Sequence, residues 1–217
     1  MQFFRKTSLC IVAALPFFAP ACDNGSSPPE TVVADGERNA ESYFADYQLV
    51  FSSPQERPGE LVEDNRIYSA LQSLELAAAS GHAEAQLHLA YMLITGTVLP
   101  QNREAGTYWL LLSAQQGNVV AQRRLGIEFA TRERDPVDDE FQKNPRVNAT
   151  RWLEKAGQAG DLEAQMLLGQ LLVDCEATRS RGLDLLEAAA NRGDESAREG
   201  LQLGRTLTGD MLDSCAN

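Results

Sequence analysis

The sequence predicts an all-α protein: a right-handed solenoid of antiparallel helix pairs with a capping helix at its N-terminal end. Three observations point there. A glycine-centred segment recurs four times within the 217 residues, and self-similarity at periods of roughly 20–50 residues marks a stacked-repeat architecture. Around each glycine, apolar residues return at helical spacing. Pro54, Pro58, Pro100, Pro136 and Pro145 fall between the periodic segments, where a missing N–H and a fixed φ break no helix.

Taken in chain order, the first element is an address. Met1-Gln2-Phe3-Phe4-Arg5-Lys6 opens a short basic start, an apolar run follows from Leu9 to Phe18, and Ala19-Pro20-Ala21-Cys22 closes it. This is the pattern of a secretory signal peptide, too short to span a bilayer. Two cleavage readings stand side by side. Ala19-x-Ala21 suits release as a soluble protein, whereas small residues directly before Cys22 resemble a bacterial lipobox, with Cys22 lipidated. The lipoprotein reading is favoured because Asp23-Asn24-Gly25-Ser26-Ser27-Pro28-Pro29 reads as a polar tether. By resemblance to enterobacterial lipoproteins, Asp23 implies retention at the inner membrane. Cleavage would remove Arg5 and Lys6 and move the net charge from −12 to −14. Acyl chains, rather than charge, would then hold the protein to anionic lipid.

The expected domains are a leader at 1–21, a tether at 22–36, a capping helix and loop at 37–59, a repeat region at 60–207 and a tail at 208–217. Helices are expected near 38–52, 61–79, 83–95, 102–116, 119–131, 147–158, 162–174, 180–191 and 195–207. The first carries Tyr43, Phe44, Tyr47, Val50 and Phe51 on one side, which suits a cap over the first repeat; a partner-binding aromatic face is the alternative.

The repeat is explicit in the residues. Ala77 to Gly81 is followed by Ala85-Gln86 and Leu89; Ser113 to Gly117 by Ala121-Gln122 and Leu125; Ala156 to Gly160 by Ala164-Gln165 and Leu168. Ala189 to Gly193, followed by Ala197 and Leu201, is a degenerate last copy, as terminal repeats often are. The glycines are spaced 36, 43 and 33 residues apart, each expected to end one helix in a left-handed C-cap. Gly96 is expected to end the helix that starts after Gly81. Trp109 and Trp152 stand at one offset before the two middle glycines. These residues resemble the Sel-1-like repeat family, short-solenoid relatives of the tetratricopeptide repeat, across about residues 60–207. Gly106 and Thr150 replace the Ala usual before each Trp.

Two cysteines remain beyond Cys22, namely Cys175 and Cys215, a disulfide candidate in an oxidising compartment; two unpaired thiols are the alternative. Closing that loop is worth about 4 kcal/mol in the chain-entropy model. The stretch 132–145 holds the extra residues between the second and third repeats; its acidic side chains read as a solvated loop, with a hard cation such as calcium as the alternative.

Composition narrows function. An excess of 31 acidic over 19 basic residues disfavours nucleic acid as partner. No Gly-x-Ser-x-Gly, His-Glu-x-x-His, phosphate-binding loop or Rossmann fingerprint occurs, and Lys6, Lys143 and Lys155 are the only lysines. His82 and His88 lie six apart and so cannot chelate as an i, i+4 pair. The expectation is therefore a non-catalytic protein, a monomer with no cofactor and no metal. It would bind a protein partner through the solenoid groove from the periplasmic side of a membrane. The groove candidates are Glu84, Leu87, His88 and Tyr91; Val120, Arg123, Arg124 and Ile127; Glu163, Met166 and Gln170. By resemblance, secreted members act as regulators, assembly scaffolds or immunity proteins against type VI secreted toxins. The differing class is a cell-wall or β-lactam hydrolase of the cysteine-rich type.

Overall fold

A computed structural model describes residues 39–51, 64–131 and 144–206 of the chain. Every regular element among them is an α-helix: α1 (Ala40–Phe51), α2 (Asp64–Ala79), α3 (Ala83–Thr95), α4 (Arg103–Gln115), α5 (Val119–Thr131), α6 (Pro145–Gln158), α7 (Leu162–Val173), α8 (Arg179–Asn191) and α9 (Glu195–Thr206). This is the all-α, helix-pair fold the repeats predict. The leader, Cys22, the tether, the acidic stretch 132–143, and Cys215 lie outside the described residues.

The chain divides into two compact units, Met1–Trp109 and Leu110–Asn217, and α4 runs through the division. In the first unit, α1 packs on α2 and α2 on α3. Its interior joins Tyr43, Phe44 and Tyr47 of α1 to Leu74, Ala77 and Ala78 of α2 and to Ala85, Leu89 and Ala90 of α3. In the second unit each helix from α5 to α9 packs on the next. Leu153, Ala156, Ala164, Leu168 and Leu172 form one apolar cluster; Met166, Val173, Leu186, Ala189, Ala190 and Ala197 form another. Trp109 and Trp152 are buried, and Lys155 lays its ammonium 4.3 Å from the Trp152 ring centroid.

One turn chemistry is used four times. Gly81, Gly117, Gly160 and Gly193 adopt φ of 93°, 90°, 94° and 97°, a conformation that costs a side-chain-bearing residue dearly. The next residue's N–H then reaches back to Ala77, Ser113, Ala156 and Ala189 carbonyls, closing the helix in a Schellman arrangement. That same residue opens the following helix. The side chains of His82, Asn118, Asp161 and Asp194 accept the N–H of Ala85, Ala121, Ala164 and Ala197 at 3.1, 2.9, 2.9 and 2.9 Å. Gly96 ends α3 at φ 71° as expected.

Two departures from expectation have plain causes. Pro145 is the first residue of α6 rather than part of a linker; at that position its absent N–H has no helical partner to lose. Gly106 stands where the resemblance expects Ala because α3 and α4 approach too closely. A Cβ there would lie 2.6 Å from Ile94 Cγ1 and 3.0 Å from the Ala90 carbonyl.

Candidate functional site

The residues that define the repeat are consumed by packing. Ala85, Ala121, Ala164 and Ala197 are fully buried, as is Leu125, with Leu89 and Leu168 nearly so. The paired glutamines are stitched in as well. Gln86, Gln122 and Gln165 each donate a side-chain N–H to the carbonyl eight residues back, on Ala78, Ala114 and Gly157, at 3.0, 3.1 and 2.8 Å. Binding must therefore use positions between the motif residues.

In the first unit, α3 carries Glu84 and Tyr91 exposed, with Leu87 half-buried. His88 is not groove-facing as expected. It is half-buried against α1: the Tyr47 hydroxyl lies 3.1 Å from its Nδ1, and the Phe44 and Tyr47 rings sit 5.5 Å from it, edge-on. Burial pushes its pKa below the ordinary imidazole value; Glu84 opposes that shift and His82 reinforces it. Burial likewise raises the Tyr47 phenol and the Glu75 carboxyl.

In the second unit, α5 exposes Val120 and Arg124, while Ile127 is half-buried. Arg123 is committed internally. Its guanidinium donates to Asp161 Oδ1 at 3.3 Å and to Glu163 Oε2, so it ties α5 to the start of α7. Asp161 thus caps α7 and anchors Arg123 at once. Glu163 is exposed apart from this pair, and Leu162 beside it is 53% exposed.

Met166 is a correction. The sequence places it in the groove, whereas it is 9% exposed, inside the apolar cluster with Val173, Leu186 and Ala197. The reason is register. Leu87, Arg123 and Met166 occupy equivalent positions in three repeats, and in the second unit this row reaches forward to the next repeat. Gln170, half-buried, follows the same course, its Cγ 3.5 Å from where a Cβ on Gly200 of α9 would stand.

Three structural sets were not foreseen: the glutamine stitches, the side-chain caps, and two arginine clamps. Arg146 at the start of α6 donates to the Leu171 carbonyl near the end of α7, and Arg179 at the start of α8 donates to the Gly204 carbonyl near the end of α9, both at 2.6 Å. The caps had a signal, a polar residue directly after each glycine. The clamps had one in Arg146 and Arg179, 33 residues apart and each opening a helix. Cys175 is buried, 3% exposed, just after α7. Among the described residues no group of three or more His, Cys, Asp or Glu is placed to hold a metal ion.

Comparison with known proteins agrees with this architecture. The family model described as Sel1 repeat matches twice, at residues 83–118 and 119–161. The chain is similar to the crystal structure of c5321, a protective antigen present in uropathogenic Escherichia coli strains displaying an SLR fold. The identity is 21% and the TM-score 0.56, with 75% of this chain and 32% of that one covered. The likeness is one of fold, and the chain spans about a third of that antigen's length. A Sel1 repeat protein from Oxalobacter formigenes is 28% identical, with a TM-score of 0.47, over 61% of this chain and 96% of that one. No curated protein matches the chain.

Proposed function

We propose, from the premise that the chain is a Sel1-like repeat protein, that it is a non-catalytic scaffold whose repeat helices bind a protein partner. Folds of this kind characteristically serve protein–protein interaction, and the repeat geometry gives such surfaces their extent. The observation that carries the reading lies in the second unit. Arg123 locks α5 beside the start of α7, so the exposed Val120, Arg124, Leu162 and Glu163 are held on fixed elements without being needed for the core. Mixed apolar and charged side chains on rigid helices suit a partner surface better than a reaction centre. The first unit offers Glu84 and Tyr91 in the same repeat register.

Export and anchoring complete the reading. Cys22 would carry lipid, Asp23 would favour the inner membrane, and the chain would work on the periplasmic side as scaffold, regulator or immunity protein. Intact cells bearing the tagged chain would be cross-linked and the detergent-solubilised envelope searched for a stoichiometric protein. The variant Tyr91→Ala with Arg124→Glu should reduce its recovery about tenfold or more while leaving helicity unchanged. Arg123 is avoided, since reversing its charge would set three carboxylates together. Undiminished recovery in a folded variant would sink the surface assignment. Steady turnover of peptidoglycan or a β-lactam by the purified chain would sink the non-catalytic one.

A further inference from the structure

We infer that α1 is a pH-releasable cover, packed on α2 and set against the two histidines at and beyond the start of α3, and let go when His88 takes up a proton. The geometry is specific. Glu41 Oε2 on α1 lies 3.2 Å from His82 Nε2, and the Tyr47 hydroxyl lies 3.1 Å from His88 Nδ1. Phe44 lies between the two, its ring centroid 4.5 Å from that of His82 and 5.5 Å from that of His88. Tyr47 in turn stacks beside Phe51 at 4.8 Å. Thus Phe44 and Tyr47, part of the first unit's buried core, also set α1 against a pair of imidazoles.

The hydrogen bonds define the tautomer of His82. His82 Nδ1 accepts the Ala85 N–H, so its proton sits on Nε2 and is donated to Glu41. His88 Nδ1 pairs with the Tyr47 hydroxyl, and the tautomer sets which of the two donates. A proton added to His82 must go to Nδ1, which ends the cap on α3 while strengthening the attraction to Glu41. A proton added to His88 makes donors of both ring nitrogens and puts positive charge beside the Phe44 and Tyr47 rings. The groups facing this cluster are Glu41 and Tyr47 from α1, with Glu84 and His82 beside His88. His88 sits below its ordinary value when docked. Docking therefore favours the neutral ring: its contribution is complete above about pH 6.5 and is lost as pH falls through the lowered docked value.

Amide hydrogen exchange on the intact chain tests this, with rates normalised to intrinsic exchange at each pH. Between pH 7.5 and 5.5 the open population of α1 should rise by a factor of about 3 to 10, while α7 and α8 do not change. The double variant His82→Asn, His88→Gln should hold α1 equally closed at both values, because Asn caps a helix here as Asn118 does. A flat wild-type profile overturns the proposal, as does a rise shared by α7 and α8 or a rise kept by the variant. Should the variant not fold, the NMR titration of the wild-type His88 ring decides. A midpoint below that of the unfolded chain supports the cover, and one at or above it overturns it.

Discussion

Gln86, Gln122 and Gln165 illustrate how single residues act in this chain. Each fills a second lone pair on a carbonyl that already accepts a backbone N–H at the turn, since Ala78, Ala114 and Gly157 also bind Gly81, Gly117 and Gly160. A neutral bond of this kind nets on the order of 1 kcal/mol, and its side chain cannot be turned outward to a partner without losing it. Glu75 is the opposite case. Burial raises its pKa, so the folded state resists its ionisation. The sign follows from linkage: the folded state is undisturbed below about pH 4.5 and loses stability as pH rises through the folded value. Glu75→Gln should therefore raise the thermal midpoint at pH 7, and the gain should vanish by pH 4. Melts of the two chains at both values check it; a lower midpoint at pH 7 refutes the assignment.

At the scale of helices, the close crossing of α7 and α8 is the least forgiving contact. A Cβ on Gly182 would come within 2.8 Å of the Val173 amide nitrogen and 2.9 Å of the Gly169 carbonyl, and backbone cannot step aside as a side-chain tip can. Gly182→Ala should cost about 1–3 kcal/mol in urea denaturation, as overpacking does. An unchanged midpoint would mean that the two helices have room to part. This crossing was not read from the sequence, although Gly182 stands eleven residues before Gly193 as Gly106 does before Gly117. The helices themselves were, because glycine spacing and apolar period set their ends to within three residues. The binding face was read less well. Counting from each glycine finds the repeat register, but it cannot tell which row meets the next repeat. Met166 and Arg123 were therefore counted as outward-facing when their partners lie in α7 to α9. His88 was misplaced for a related reason: its partner, Tyr47, stands 41 residues away on a helix outside the motif.

At the scale of the molecule, covalent closure of the C-terminal end is the expected consequence of where Cys175 lies. It is buried just after α7, and Gly204 near the end of α9 packs against Val173, so the chain leaves α9 close to that thiol's helix. Eight residues lie between Thr206 and Cys215, ample reach for a return. The oxidised protein should run about 2 Da lighter than the reduced one, with one cross-linked peptide joining Cys175 and Cys215. Reduction should cost up to about 4 kcal/mol. Two alkylated thiols at Cys175 and Cys215 in the protein isolated without reductant would refute the pairing.

The arginine clamps bear on how such a chain is made. Arg146 and Arg179 each wait for a carbonyl 25 residues further along, on Leu171 and Gly204. A ribosome adds about 5–20 residues per second, so each clamp stays open for a second or more after its arginine emerges. A helix pair of this protein is thus sealed only by what is synthesised after it, and translocation through a membrane pore would meet the same unfinished, still yielding hairpins.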